Sequence, residues 1–436
     1  MSVKPYVQSA DTDKSAVVNS SAAVQSTAKV NAAVSADVAV SENTTANIDT
    51  TMNRGVAVSQ NATVSEKRFN RLVATMQAEK LTAFLARDTS DITWLTAFEG
   101  VFDDEQAHAL LVSASDYCLH TDSRYASACR AAAQSSPVTV DDRRVSHARW
   151  AADYLSHADI QPTTEEHVAF GIDDGITLAE YRALVTAFAG ELPDLQIVET
   201  HDVIKRLRAV KDAGEVVRLR AAQAITDAAF THIVSFIKPG MTERAVQLEL
   251  EDFMRRHGAQ DLAFSSIVAS GANGANPHAT PGEDKLEAGQ CVVMDFGARA
   301  CGHCSDMTRT VFMGEPDAHL VQAYRTLREA NEQVEAMLKP GVTGAEAHAL
   351  AEAVLAAGGY GGKMGHGLGH GVGIDIHEEP VLSPRNTAAL ETGNVVTVEP
   401  GIYLEGDFGM RLEDFGIITE DGFEVFTRST HEMVII

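Results

Sequence analysis

The sequence predicts an α+β protein built of two folded parts, and three observations carry that prediction. Apolar residues fill 45% of the 436 positions, enough to bury the cores of two or three domains. Between about residues 65 and 199, short strand-like runs alternate with helical patterns. Beyond residue 200 one motif returns: Lys238-Pro239-Gly240-Met241-Thr242 recurs as Lys339-Pro340-Gly341-Val342-Thr343, 101 residues later.

The elements follow in chain order. Residues 1–63 are mostly Ala, Val, Ser, Thr and Asn, with Tyr6 as the only aromatic. Such a segment buries too little apolar surface to offset its ordering entropy, so a disordered low-complexity tail is expected. The stretch SEKRFNRLVATMQAEKL, 65–81, turns helical, with Ser65 as the expected cap and Phe69, Leu72, Val73 and Met76 on one face. Strands are expected at AFLA (83–86), DITWLTAF (91–98) and HALLVSA (108–114). The result is a smaller α/β N-terminal domain over 64–200. A long helix is expected over about 212–236, with Val216, Leu219, Ala222, Ile225 and Ala229 on its apolar side.

Each copy of the repeat is expected to open an amphipathic helix with its Thr as N-cap. Each is followed, 57 and 60 residues after its Lys, by a carboxylate closing an apolar run: Asp295 in CVVMDFG and Glu399 in NVVTVEPG. Matching acids downstream of matching helix starts predict a duplicated half-domain with a pseudo-twofold axis over 201–436. A site shared by the halves would lie between them.

Charge narrows the function. Acidic residues outnumber basic ones 61 to 35, for a net charge of −26. A nucleic-acid binder needs basic surface to displace counterions, and an anionic membrane would repel this chain. No run reaches 18 apolar residues, so no membrane span is expected. Five cysteines, an odd and sparse set, fit a reducing compartment, with the cytoplasm as the expected location.

The acids come in pairs. Asp295 and Asp306 are eleven residues apart, with Gly297 and Gly302 in an expected bend, so a hairpin brings both to one face. Glu399 and Glu413 repeat the arrangement in NVVTVEPG and MRLEDFGIIT. Buried carboxylates are costly unless paired or metal-bound. Two turn aspartates and an ion-pair network through Arg411 account for the same residues. Two Asp, two Glu and a nearby His also suit two divalent ions, which polarise a carbonyl and activate a water.

Other motifs fall short. DFG lacks the HRD and Gly-rich loops of a kinase, and GLGHGVG is not GxGxxG. The histidines of MGHGLGHGVGIDIHEEP lack the intervening glutamate of a zinc-protease helix. CGHC, Cys301 to Cys304, sits in an expected hairpin rather than at a helix start, so ordinary thiols are expected.

With these residues in place, the chain from about residue 65 resembles the pita-bread metallopeptidases, in the branch of aminopeptidase P and prolidase. That family binds two metals through Asp, Asp, His, Glu and Glu in chain order, matched by Asp295, Asp306, His370, Glu399 and Glu413. WLTAF (94–98) and TDSRY (121–125) resemble its creatinase-like N-domain, and LRAVKDAGEVVRLRAA (207–222) the joining segment. The resemblance implies a pita-bread catalytic domain and hydrolysis of the bond before a proline in the second position of a peptide. It implies Asp306 and Glu413 as bridging ligands and Glu399 as proton acceptor. His278, His366 and His377 would line the substrate site, with Tyr403 and Arg411 on its leaving side. Mn is the expected metal, with Co or Zn as alternatives, and a homo-oligomer, a dimer, is expected. An Xaa-Pro aminopeptidase is the first expectation and a dipeptide-restricted prolidase the second. Methionine aminopeptidase lacks the N-domain, and creatinase works without metal ligands. A non-catalytic binding protein of this fold would have lost ligands that are intact here.

Overall fold

The computed structural model describes residues 53–103, 105–157 and 168–436. Ala57–Ile436 make one compact unit. The expected tail lies outside the described residues as far as 52. From Asn53 the chain is helical through Ala78, so the first helix starts well before the expected position. Ser65 therefore does not cap it. Fully buried within the helix, Ser65 donates its hydroxyl to the Leu95 carbonyl at 2.8 Å.

The N-terminal part is a six-stranded mixed sheet. Its spatial order is Val138–Asp141, Tyr117–His120, Ala109–Ser113, Ala83–Ala86, Val168–Asp173 and Leu195–Thr200. The three central strands of the chain's start pair antiparallel and the outer ones parallel. Alternation feeds two cores. Phe84, Leu110 and Val112 pack with Leu72 and Trp94 on one face, and Leu85 and Leu111 with Trp150 and Phe188 on the other. Both expected strands flanking the 91–98 run are present, but that run is a helix, Thr89–Thr96. Asp88 decides it: its carboxylate accepts the Asp91 N–H at 2.9 Å, and Ala97 closes the turn with φ 56°.

The repeat does what its sequence predicts. The long helix spans Ala213–Phe236, and Gly240 then turns the chain with φ 87°. Thr242 caps Glu243–Arg256 by accepting the Ala245 N–H. In the second copy Ala318–Met337 ends before Gly341, φ 93°, and Thr343 caps Gly344–Ala357 by accepting the Glu346 N–H. Both glycines donate to a leucine carbonyl, Gly240 to Leu286 at 2.8 Å and Gly341 to Leu390 at 2.9 Å.

After each helix pair, three strands that neighbour one another in one sheet correspond between the copies. The first copy has Ile267–Ser270, Cys291–Phe296 and Met307–Phe312; the second has Gly369–Gly371, Val395–Val398 and Asp414–Ile418. In both, the middle strand pairs antiparallel with the other two. Helix residues Ile233, Val246 and Leu250 pack on Val268, Met294 and Met307 in the first copy. Leu327, Val334 and Leu355 pack on Val396, Val398 and Ile418 in the second. Between Phe296 and Met307 a small hairpin projects, with Cys301 and Gly302 at positive φ in its tip. Gly297 is not in that bend: it marks where the strand leaves its sheet, against the Ser305 carbonyl. No helix starts at CGHC, and burial pushes the Cys304 thiol up to about 12. None of the described helices is long and apolar enough to cross a membrane.

Candidate metal centre

Strand register brings the acids together. Thr308 pairs with Asp295, so Asp306, two residues before Thr308, faces the same side. In the second copy Val398 pairs with Asp414, and one more step of that register sets Glu413 opposite Glu399. The copies meet along one seam, where the Glu413 N–H donates to the Thr308 carbonyl at 3.1 Å. Arg309, fully buried, ties the seam by donating to the carbonyls of Glu413 at 2.6 Å and Thr308 at 2.9 Å.

The strand Gly369–Gly371 carries His370 into this seam. Its Nε2 stands 3.4 Å from Glu399 Oε1 and 3.6 Å from Asp306 Oδ2. Nδ1 lies 3.0 Å from the Gly371 carbonyl and donates to it, which leaves the Nε2 lone pair aimed at the carboxylates. One donor atom each from Asp306, His370 and Glu413 lie within 4.8 Å of one another.

Electrostatics make this a cation site. Burial, then repulsion from neighbouring carboxylates, pushes Asp306 and Glu413 well above the usual range, and burial raises Glu399. Asp295 Oδ1 is buried without a partner, while its Oδ2 pairs with Arg411. Burial lowers His370, which keeps it neutral. Four acids face one arginine and a neutral imidazole, so the donor set fits a divalent cation. In a second group, Glu335, Asp414 and His431, both Asp414 oxygens are already taken, Oδ1 by Arg309 Nη2 at 2.7 Å and Oδ2 by His431 Nε2 at 2.6 Å.

The other expected site residues surround the seam. Arg411 Nη1 donates to the Tyr403 hydroxyl at 2.9 Å, which lies 3.0 Å from His366 Nε2. His366 Nδ1 is 2.6 Å from the Gly367 carbonyl, so the network sets the His366 proton on Nδ1 and lets the Tyr403 hydroxyl donate to Nε2. The ring of His377 stands edge-on to His370, with centroids 4.5 Å apart. His278 is exposed at the rim, next to Pro277, whose carbonyl accepts from Arg411 Nη1 at 3.4 Å. All ten expected residues thus gather around one seam.

Sequence reading missed Thr308. Its hydroxyl donates to Glu413 Oε2 at 2.7 Å and accepts from Arg411 Nε at 2.9 Å. Alternation was the available signal, because Thr308 shares a face with Asp306. Thr397 was missed as well; it accepts the His370 N–H at 3.0 Å and lies 3.3 Å from Glu399 Oε1.

Known proteins are similar to this chain in sequence and fold. Residues 217–420 match Metallopeptidase family M24, and residues 68–210 match the Creatinase/Prolidase N-terminal domain. An uncharacterized peptidase of Bacillus subtilis, YqhT, is 40% identical over 283 residues, 64% of this chain and 79% of that protein. An Xaa-Pro dipeptidase of Lactobacillus delbrueckii is 34% identical over 281 residues, 64% of this chain and 75% of that one. Among solved structures, an Xaa-Pro dipeptidase from Bacillus anthracis superposes with TM-score 0.78 at 35% identity, over 85% of this chain and all of that one. An X-Pro aminopeptidase from Thermotoga maritima gives 0.73 at 32% identity, with the same coverage of both chains. The chain is thus a metallopeptidase with the pita-bread fold, and it belongs to family M24, in the branch that carries a creatinase/prolidase N-terminal domain.

Proposed function

We propose that the protein hydrolyses the peptide bond between an N-terminal residue and proline, with Xaa-Pro dipeptides as its main substrates. The observation that carries the reading is the convergence of Asp295, Asp306, His370, Glu399 and Glu413 from both copies on one buried seam. The relatives named as dipeptidases favour dipeptides. An aminopeptidase acting on longer peptides is the second reading, favoured by the Thermotoga structure.

Two divalent ions, Mn first, would be held by the five donors and would supply a Lewis acid and an activated water. The chain's own residues do the rest. Asp306 and Glu413 would be the donors shared between the ions, with Asp295 serving one and His370 and Glu399 the other. Glu399, buried and raised, accepts the proton from the attacking water at its carboxylate and passes it to the leaving nitrogen. His377 and His278 face the scissile carbonyl and stabilise its oxyanion. Arg411, Tyr403 and His366 form a fixed donor chain that orients the substrate's other end. Proline offers no N–H, so a shaped pocket rather than a backbone hydrogen bond recognises it.

The test is hydrolysis of Xaa-Pro dipeptides and Xaa-Pro-Xaa tripeptides by metal-stripped protein refilled with Mn or Co. Turnover of dipeptides alone is the expected result. Release of the first residue from tripeptides makes it an aminopeptidase. Inactivity on both, with metal uptake verified, sinks the proline reading.

A further inference from the structure

The loop between His370 and His377 is held from outside the metal centre. Ser90 and Asp91 lie in the helix Thr89–Thr96 of the N-terminal domain. Ser90 Oγ donates to Asp375 Oδ1 at 2.6 Å, and Arg208 Nη1 donates to Asp91 Oδ1 at 2.7 Å. Arg208 Nη2 reaches Asp375 Oδ2 at 2.6 Å and Glu378 Oε1 at 2.5 Å. Lys211 Nζ donates to Glu378 Oε2 and to the Arg208 carbonyl, each at 2.8 Å. The side chains of Arg208, Lys211 and Glu378 are 3%, 1% and 6% exposed, so these contacts are shielded from water.

Inside the loop, the same Glu378 carboxylate replaces a strand partner. Its Oε1 accepts the Asp375 N–H at 3.0 Å, and the Gly373 N–H donates to the Asp375 carbonyl at 3.0 Å. A Cβ on Gly373 would lie 2.5 Å from both Glu378 carboxylate oxygens, so only glycine lets the carboxylate fold in this far. His377 is the last residue of the bend and directly precedes the strand Glu378–Leu382, so the anchored Glu378 fixes the backbone from which His377 projects. Its ring stands edge-on to His370, with centroids 4.5 Å apart.

We infer that Glu378 and Arg208 are positioning residues: through them the N-terminal domain clamps the 371–378 loop and sets where His377 stands beside His370. The kinetic part of this inference rests on the Xaa-Pro reading; the structural part does not.

The test combines two readouts on the full-length, metal-loaded protein. Hydrogen exchange of the 371–378 amides is measured in wild type, in Glu378→Gln, and in the milder Asp375→Asn, whose side chain is 41% exposed. Exchange in the loop is expected to rise at least ~10-fold in both variants, with the strand Val395–Val398 still protected. On an Xaa-Pro dipeptide, Glu378→Gln is expected to raise KM more than it lowers kcat, and that loss is expected to vanish in a His377→Ala background. Unchanged loop exchange in Asp375→Asn, which leaves the buried carboxylate in place, overturns the inference even if Glu378→Gln does not fold. Additive kinetic losses overturn it too. A wild type inactive on every Xaa-Pro peptide overturns the proposed function, and exchange alone then decides the clamp.

Discussion

In the first copy of the repeated unit the middle strand carries Asp295 and the acid before the last strand is Asp306; in the second copy the same places hold Glu399 and Glu413. Among the metal donors the first copy contributes only these short acids, and in both copies a hairpin connects the middle strand to the last. The second contributes longer acids, the imidazole of His370 and the guanidinium of Arg411. The helix starts, turn glycines and strand pairing are alike in both. Specialisation therefore lies in the second copy. A duplicated scaffold brings four acids to one seam by register alone, and divergence of the second copy adds the neutral donor and the cation that make the acids usable.

Removing one acid from each copy has the largest expected effect. Asp306→Asn and Glu413→Gln are each expected to lower kcat/KM by about 10³-fold, or ~4 kcal/mol, with matching loss of bound metal. Metal analysis after dialysis would check it; full metal retention in either variant means that copy does not contribute.

Glu378, which has no counterpart in the first copy, comes next. Burial alone would raise its carboxyl, but Lys211 and Arg208 outweigh that and hold it at about 2. Its folded value is depressed, so its stabilisation is present above the unfolded value near 4.5 and is lost as pH falls through about 2. Glu378→Gln is expected to cost about 3 kcal/mol at neutral pH. The gap to wild type in urea midpoints is expected to narrow between pH 4.5 and 2; a constant gap would show that charge is not the cause.

Thr308 joins the copies, because its hydroxyl serves Glu413 and Arg411 at once. Thr308→Val keeps the shape and is expected to weaken metal binding or turnover by about 10- to 100-fold. A chelator-competition titration reads it directly, and an unchanged affinity would remove Thr308 from the site.

Smallest is the comparison of the two caps. Thr242→Ala and Thr343→Ala are each expected to cost ~1 kcal/mol. Equal shifts in denaturation midpoint would support two energetically similar units, whereas one silent cap would separate them.

Much of this was legible in the chain. Repeated caps and apolar periodicity are local, so KPGMT and KPGVT predicted both helix starts, and alternation put Asp295 and Asp306 on one face. The errors came where a tertiary contact outweighed a local pattern. Ser65 looks like a cap because a polar residue precedes an apolar face, but it is satisfied by Leu95, thirty residues away. The run 91–98 is rich in apolar and β-branched residues and reads as a strand, yet Asp88 starts a helix there. The Arg208, Lys211 and Glu378 cluster gave no local signal, since its partners are up to 170 positions apart in sequence. The Asp295–Arg411 pair was foreseeable only as one option among several, because sequence shows charge but not which acid an arginine meets.

If both copies supply donors to one metal centre, anomalous diffraction from crystals of the manganese-loaded protein will locate the ions between them. Peaks in the seam, in contact with Asp306, His370 and Glu413 and flanked by Asp295 and Glu399, are the expected result. Peaks ligated by residues of a single copy, or found only at Glu335, Asp414 and His431, would contradict it.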